Sequence, residues 1–358
     1  MTSLIIVLSV VLILAILYMI FRISNLVSIA KGKNPDKVDA ESNGIHGFLF
    51  VVFMILSLGG FFWYSYANFD RYQLPVASEH GVRTDTLFWV TMAITVVAFG
   101  VISIIMFVFI YQYRYNENRR AKYYPDNHYL ELAWTIIPAI VLAVLIFTGL
   151  NTWNDITSPA SEDAEVVELV AQQFAWTARY PGVKDKELGV VNYKMIDNFG
   201  NEFGLDLSDK NAYDDFKSLE LHLPKGKEIL LKIRAKDVIH SVFLPHFRVK
   251  MDAVPGMPTQ FKFMATKTTE EMRSETGNPN FNYELACTEI CGRGHFSMKM
   301  AVVVHEADDY ERWKLAQEAW LKQNPDYMKR VPESLKEAAM IKAGMQKDPG
   351  STVAEVIE

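Results

Sequence analysis

The sequence predicts a membrane-anchored β protein, with about four N-terminal transmembrane α-helices followed by a β sandwich or barrel. Three observations predict it. Half of the 358 residues are hydrophobic and 22% are charged, and the two classes segregate, with the long apolar runs all lying before Asn151. Four of those runs, Leu4 to Phe21, Gly47 to Tyr66, Leu87 to Tyr111 and Leu132 to Leu150, approach the roughly 20 residues needed to cross a bilayer. Beyond them, short β-branched and aromatic runs recur between turn residues. The formal net charge is -6 and no basic cluster contradicts it, which argues against nucleic-acid binding.

The first run could be a signal peptide, but no lysine or arginine precedes it and no small-residue cleavage pattern follows, so a retained span is expected. Arg22, Lys31, Lys33 and Lys37 follow the first run, and Arg114, Arg119, Arg120 and Lys122 follow the third. Positive charge marks cytoplasmic loops, so both chain ends and the C-terminal half are expected outside. Pro138 inside the fourth run is tolerable where neighbouring groups re-satisfy the backbone. The expected domains are 1–66 with two extra spans, a transmembrane hairpin at 84–151, a soluble β domain at 152–313 and a helical tail at 314–358.

Strand signals in the soluble half are Val166–Trp176, Leu219–Leu223, Glu228–Arg234, Gln260–Met264, Phe281–Leu285 and Met298–Val304. Leu223–Lys227 and Asp252–Pro258 read as turns. Residues 182–217, rich in Asp, Gly and Asn without a period, read as an insertion; loops of this length are functional or disordered. Its acids Asp185, Glu187, Asp197, Glu202, Asp206, Asp209, Asp214 and Asp215 fit a surface steering a basic partner, or a solvated loop. His222 alternates within a strand and is expected at the surface. His246 is expected in a loop.

The chemistry is concentrated in Cys287-Thr-Glu-Ile-Cys-Gly-Arg-Gly-His-Phe-Ser-Met298. Both cysteines of the chain lie here, with His295 and Met298 behind them and Gly292 and Gly294 available for a tight loop. His240, at the end of a strand-like run, is a long-range partner. Thiolate, imidazole and thioether are donors that copper and zinc select. A disulfide would leave His295 and Met298 unexplained, and a Cys2His2 zinc site would leave Met298 over. A two-copper centre uses them all.

These segments resemble the CuA-binding domain of cytochrome c oxidase subunit II, from about Thr84 to Trp313. Carried over residue by residue, His240, Cys287, Cys291, His295 and Met298 match the family's copper-binding side chains. Glu289 matches the residue whose backbone carbonyl completes the site and whose carboxylate reaches a Mg2+ shared with subunit I. The resemblance implies a cupredoxin-like Greek-key β-barrel and a binuclear copper (CuA). It also implies a role in the respiratory chain: accepting electrons from a cytochrome c, soluble or complex-bound, and passing them to the haem and copper centres of subunit I. O2 reduction and proton pumping would reside there, in another subunit.

Glu131 to Pro138 resembles the opening of the family's second helix. That gives Glu131 the place of the K proton pathway's mouth, although the residue alone also reads as an interfacial acid. The family's surface tryptophan, two positions before Trp176, is replaced by Phe174, so Trp176 and Phe174 are both candidates for receiving electrons. Arg248, Lys250 and Asp252 fall where the family meets subunit I, and the first two spans are expected to pack against other oxidase subunits. The implied location is a bacterial-type inner membrane, multi-pass, with the copper domain on the periplasmic side. A membrane-tethered copper chaperone or sensor would use fewer, exchangeable ligands. Quinol oxidase subunit II lacks the copper ligands, and nitrous oxide reductase carries a large additional domain. With no Cys-x-x-Cys-His, no c-type haem of the usual kind attaches here, so the donor is another protein.

Overall fold

The structure, a computed structural model, describes residues 2–32, 38–183, 186–197 and 199–346, without the side chains of residues 2–6. Lys33 and Lys37 of the first loop, Asp185 of the insertion and residues 347–358 of the tail lie outside the described residues.

The four apolar runs form α1 (Thr2–Ala30), α2 (Ala40–Ala67), α3 (Glu79–Gln112) and α4 (His128–Thr157). At 1.5 Å per residue the shortest of these, α2, is about 42 Å long, which exceeds a hydrocarbon core of about 30 Å. All four are apolar enough to span a membrane, with almost every apolar side chain exposed. Such surface is stable only against lipid or other proteins. Asp39 caps α2 by accepting from the Ser42 N–H. Pro138 sits inside α4 as expected.

The chain divides into two compact units, Met1–Tyr72 with Met92–Thr135, and Gln73–Thr91 with Ile136–Glu358. In the first, α2 meets α3 through Phe50 and Phe53 against Phe107, and Phe61 against Phe99. A Cβ at Gly47 would lie 3.0 Å from Arg114, so glycine allows this close approach.

The second unit holds ten strands: β1 (Glu165–Gln172), β2 (Ala175–Tyr180), β3 (Phe216–Ser218), β4 (Leu221–Pro224), β5 (Glu228–Ala235), β6 (His240–Leu244), β7 (Val249–Ala253), β8 (Thr259–Met264), β9 (Tyr283–Cys287) and β10 (Lys299–His305). They form two sheets, ordered β3-β2-β1-β5-β8 and β4-β10-β9-β6-β7. One hydrophobic core draws on both, with Leu169, Ile229, Leu231, Val242, Leu285 and Val302 fully buried. This is a cupredoxin-like β domain.

Three local expectations change. Val166–Trp176 is not one strand: it breaks at Gln173–Phe174, and β2 folds back antiparallel on β1. His240 opens β6 instead of closing a strand. His222 is buried, because β4 lies at a sheet edge that the helix α6 (Ala307–Leu315, after α5 at Thr269–Thr276) covers. Its ring stacks on Trp313 of α6, with Nδ1 2.8 Å from His305 Nε2. Burial pushes the His222 pKa down to about 4, and the neighbouring His305 adds to the fall.

The insertion and the tail share a second core. Phe203, Leu205, Leu207, Ala212 and Tyr213 from the insertion pack with Trp320 and Leu321 of α7 (Trp320–Gln323), Val331, and Ala339 of α8 (Lys336–Lys342). Val170 of β1 closes it from below. Neither segment could bury these side chains alone. Five of the described insertion acids are held by partners in this region. Asp215 is buried against Arg179 and accepts from the Gly189 N–H, while Asp214 pairs with Lys342. Glu202 pairs with Lys217, Asp209 caps a turn, and Asp197 accepts from Tyr327.

Arg179 also binds Glu168, which Arg234 grips from the other side. Burial opposes the Glu168 charge, but the two guanidiniums outweigh it and bring the carboxyl down to about 2. A depressed carboxyl stabilises the fold above its unfolded value of 4.5, and that contribution is lost as pH falls toward about 2. Glu168→Gln should therefore lower Tm at pH 7, and its Tm should change less than the native chain's between pH 4.5 and 2. Trp320→Ala should destabilise by about 3–5 kcal/mol through the cavity it leaves. Thermal melts of the detergent-solubilised chain read both.

Candidate metal centre

Two segments build the site. The first is the Cys287–Met298 loop between β9 and β10, closed at its base by the Cys287 N–H donating to the Met298 carbonyl at 3.0 Å. The second is the turn leading into β6, which presents His240 with no exposed surface. Thr288 N–H to Ser241 O, at 3.3 Å, ties them together.

The predicted donors converge. Cys287 Sγ lies 3.8 Å from His240 Nδ1, 3.2 Å from the Glu289 carbonyl and 3.9 Å from Cys291 Sγ. Cys291 Sγ lies 3.6 Å from His295 Nδ1 and 3.8 Å from Met298 Sδ. His240, Cys287 and Cys291 form a buried metal-competent cluster. Both cysteines are free, and 3.9 Å is far beyond a disulfide bond of about 2.05 Å. Ligand atoms at about 2.0–2.3 Å from one tetrahedral ion stand about 3.3–3.8 Å apart, close to the separations here. Six donors exceed the four that a structural zinc takes. Grouped as two around each thiol, they would suit soft metal ions held through the cysteines. Burial, with Cys287 beside it, pushes the Cys291 thiol up to about 11, so metal binding must displace its proton.

Sequence reasoning missed the groups that hold the donors. Asp237 accepts from His240 Nε2 at 2.9 Å, which leaves Nδ1 bare toward the sulfurs. It also accepts from the Gln173 and Val238 N–H groups. Burial opposes its charge, but the bonds from Gln173 and His240 prevail and hold its carboxyl below the usual range. Gln173 Nε2 donates to the Cys291 carbonyl at 2.6 Å. Phe174 lies over the loop: a Cβ on Gly294 would stand 2.6 Å from its ring, and Gly292 has a φ of 130°. The only local hint was spacing, with Asp237 three residues before His240.

The remaining candidates fall elsewhere. Trp176 is buried, its ring edge-on to His240 with centroids 6.0 Å apart, and Phe174 is 40% exposed. The Glu289 side chain is exposed. Glu131 lies in the first turn of α4, 3.5 Å from His128 Nδ1. His246 packs edge-on against Phe281 and Tyr283. Lys250 and Asp252 pair at the surface, whereas Arg248 turns inward to Asp85.

A family model for the cytochrome c oxidase subunit II periplasmic domain matches residues 165–306, and one for its transmembrane domain matches residues 74–152. An alternative cytochrome c oxidase subunit 2 of Bradyrhizobium diazoefficiens is 30% identical over 269 residues, 74% of this chain and 89% of that protein. A cytochrome c oxidase subunit 2 of Thermostichus vulcanus is 32% identical over 266 residues, 68% and 77% of the two chains. The crystal structure of the periplasmic domain of subunit II of Bradyrhizobium japonicum cytochrome oxidase aligns at 22% identity, covering 46% of this chain and 97% of that one, with a TM-score of 0.30.

Asp237→Ala should weaken copper binding about 10–100-fold, since a lost partner to a ligating histidine typically costs that much. Competition against a copper chelator measures it, and native affinity in the variant would contradict the role.

Proposed function

The chain belongs to the cytochrome c oxidase subunit II family, and on that premise we propose that it is the electron-accepting subunit of a respiratory oxidase. The convergence of His240, Cys287, the Glu289 carbonyl, Cys291, His295 and Met298 carries this reading. A binuclear copper held by these residues would supply a one-electron carrier. The protein's part is to keep the donors fixed and dry. Asp237 orients His240, Gln173 anchors Cys291 and Phe174 roofs the loop. The donors gather around the two sulfurs, which suits passing electrons and not binding substrate. O2 chemistry then belongs to subunit I, with Mg2+ held between that subunit and the exposed Glu289 carboxylate.

The donor is a cytochrome c, soluble or complex-bound. Its docking surface is the apolar rim of the centre, since several of the described insertion acids are bonded inward. Ile290 and Phe296, both in the loop, are 85% and 82% exposed, and Ile239 beside His240 is exposed as well. Apolar side chains clustered at a site mark an interaction surface. Phe174 and Trp176 lead inward from that rim toward His240. Glu131, at the cytoplasmic end of its span, is the mouth of a proton pathway. The positively charged loops after α1 and α3 support a copper domain on the periplasmic side of a bacterial-type inner membrane.

Phe296→Glu and Ile290→Glu should each slow second-order copper reduction by a c-type cytochrome severalfold while leaving the copper spectrum unchanged. Native rates in both would remove the rim as the docking face. Glu131→Ala should slow steady-state O2 reduction with the copper spectrum intact, and unchanged turnover would reject the proton role.

A further inference from the structure

The tip of the β6–β7 hairpin is held by the outer end of α3 and the segment before it. Four residues, Pro245 to Arg248, connect the two strands, and their carbonyls are bonded one after another. Ala77 N–H donates to the His246 carbonyl at 2.8 Å and Ser78 Oγ to the Phe247 carbonyl at 2.6 Å. His80 Nε2 lies 3.4 Å from the Arg248 carbonyl. Arg248 itself adopts the left-handed backbone, with φ 54°, the one non-glycine residue to do so among the described residues. A side chain makes that conformation costly, and such outliers persist where the surroundings impose them.

The side chain shows what imposes it. Arg248 Nε and Nη2 grip the Asp85 carboxylate at 2.7 and 2.9 Å, and Nη1 and Nη2 also donate to the Pro245 and Leu74 carbonyls, each at 2.7 Å. The forked pair to Asp85 is the strong, directional form of an arginine–carboxylate contact. Both partners are largely shielded, at 19% and 32% exposure. Gly81 makes room: a Cβ there would stand 2.6 Å from Ser78 Oγ and Val76 Cγ2 and 3.2 Å from Arg248 Cγ.

The other end of the same hairpin carries His240, paired across the ladder with Ala253. At about 3.4 Å per residue the five-residue strand spans roughly 17 Å, so the hairpin is a short stiff lever from clamp to copper ligand.

We propose that Arg248 is a positioning residue, clamping the copper-bearing hairpin to Asp85 on the outer turns of α3 so that the centre stands at a fixed distance from its acceptor. The inference rests on the electron-transfer reading above. Electron-transfer rates fall steeply with distance, so a loosened hairpin slows the step out of the centre. It leaves the centre's donors in place relative to one another, since Val242 of β6 pairs with Cys287 of β9 and the two donor segments move together.

The test uses the assembled oxidase with Arg248→Ala and, separately, Asp85→Asn. Both should keep native copper content, native copper spectrum and native reduction by the cytochrome. Both should slow re-oxidation of the copper by the rest of the oxidase severalfold, and hydrogen exchange at the Ala77 and Arg248 amides should quicken. Native re-oxidation despite faster exchange overturns the positioning role, and unchanged exchange overturns the clamp. Loss of copper in both variants also overturns it, since Arg248 would then serve the folding of the site. If Arg248→Ala does not accumulate, Arg248→Lys, which keeps the charge and loses the fork, decides by the same readings. Failure of the underlying reading looks different: the native copper would not be reduced by any c-type cytochrome, while the exchange result would still judge the clamp.

Discussion

The separation of two sulfurs governs this structure. Cys287 Sγ and Cys291 Sγ stand 3.9 Å apart, near enough to share metal ions and too far to be bonded to each other. The three residues between them would not hold that distance alone. The loop is pinned at its base by the Cys287–Met298 backbone bond, from the side by Gln173 on the Cys291 carbonyl, and from above by Phe174. Two of these pins come from adjacent residues in one break of the chain. The hairpin break after β1 puts Gln173 and Phe174 over the loop, and the β5–β6 turn puts Asp237 against both Gln173 and His240. A flexible apo-site would leave the metal to order the loop at the expense of its binding free energy; a pre-formed one does not.

The donors were legible because their pattern is local. Cys287, Glu289, Cys291, His295 and Met298 fall within twelve residues, and no other segment offers cysteines. The four helices were legible because lipid demands long apolar runs. What stayed hidden depends on contacts distant in sequence. Val166–Trp176 carries valines and aromatics with no glycine or proline, so nothing local marks the break at Gln173. His222 alternates like a surface residue, yet α6 returns from 85 residues and more downstream to cover it. Asp237 and Arg248 look like ordinary loop charges until their partners, His240 and Asp85, are in place.

The insertion shows how composition misleads. A run of eight acids suggests a negative surface, but of those described several are bonded inward to arginine, lysine, tyrosine or backbone N–H groups. Buried charges require such partners, and here they link the insertion to the C-terminal tail as well as to β2. The two segments outside the periplasmic-domain match or interrupting its strands thus form one accessory lobe around Trp320, while Ile290 and Phe296 of the Cys287–Met298 loop stand exposed.

The measurement that tests the central claim most directly is the electron paramagnetic resonance spectrum of the oxidised, copper-loaded full-length chain, taken with its copper content. The account predicts about two coppers per chain at these donors, one unpaired electron, and hyperfine splitting from two equivalent nuclei. A four-line spectrum from a single copper in the intact protein would contradict it.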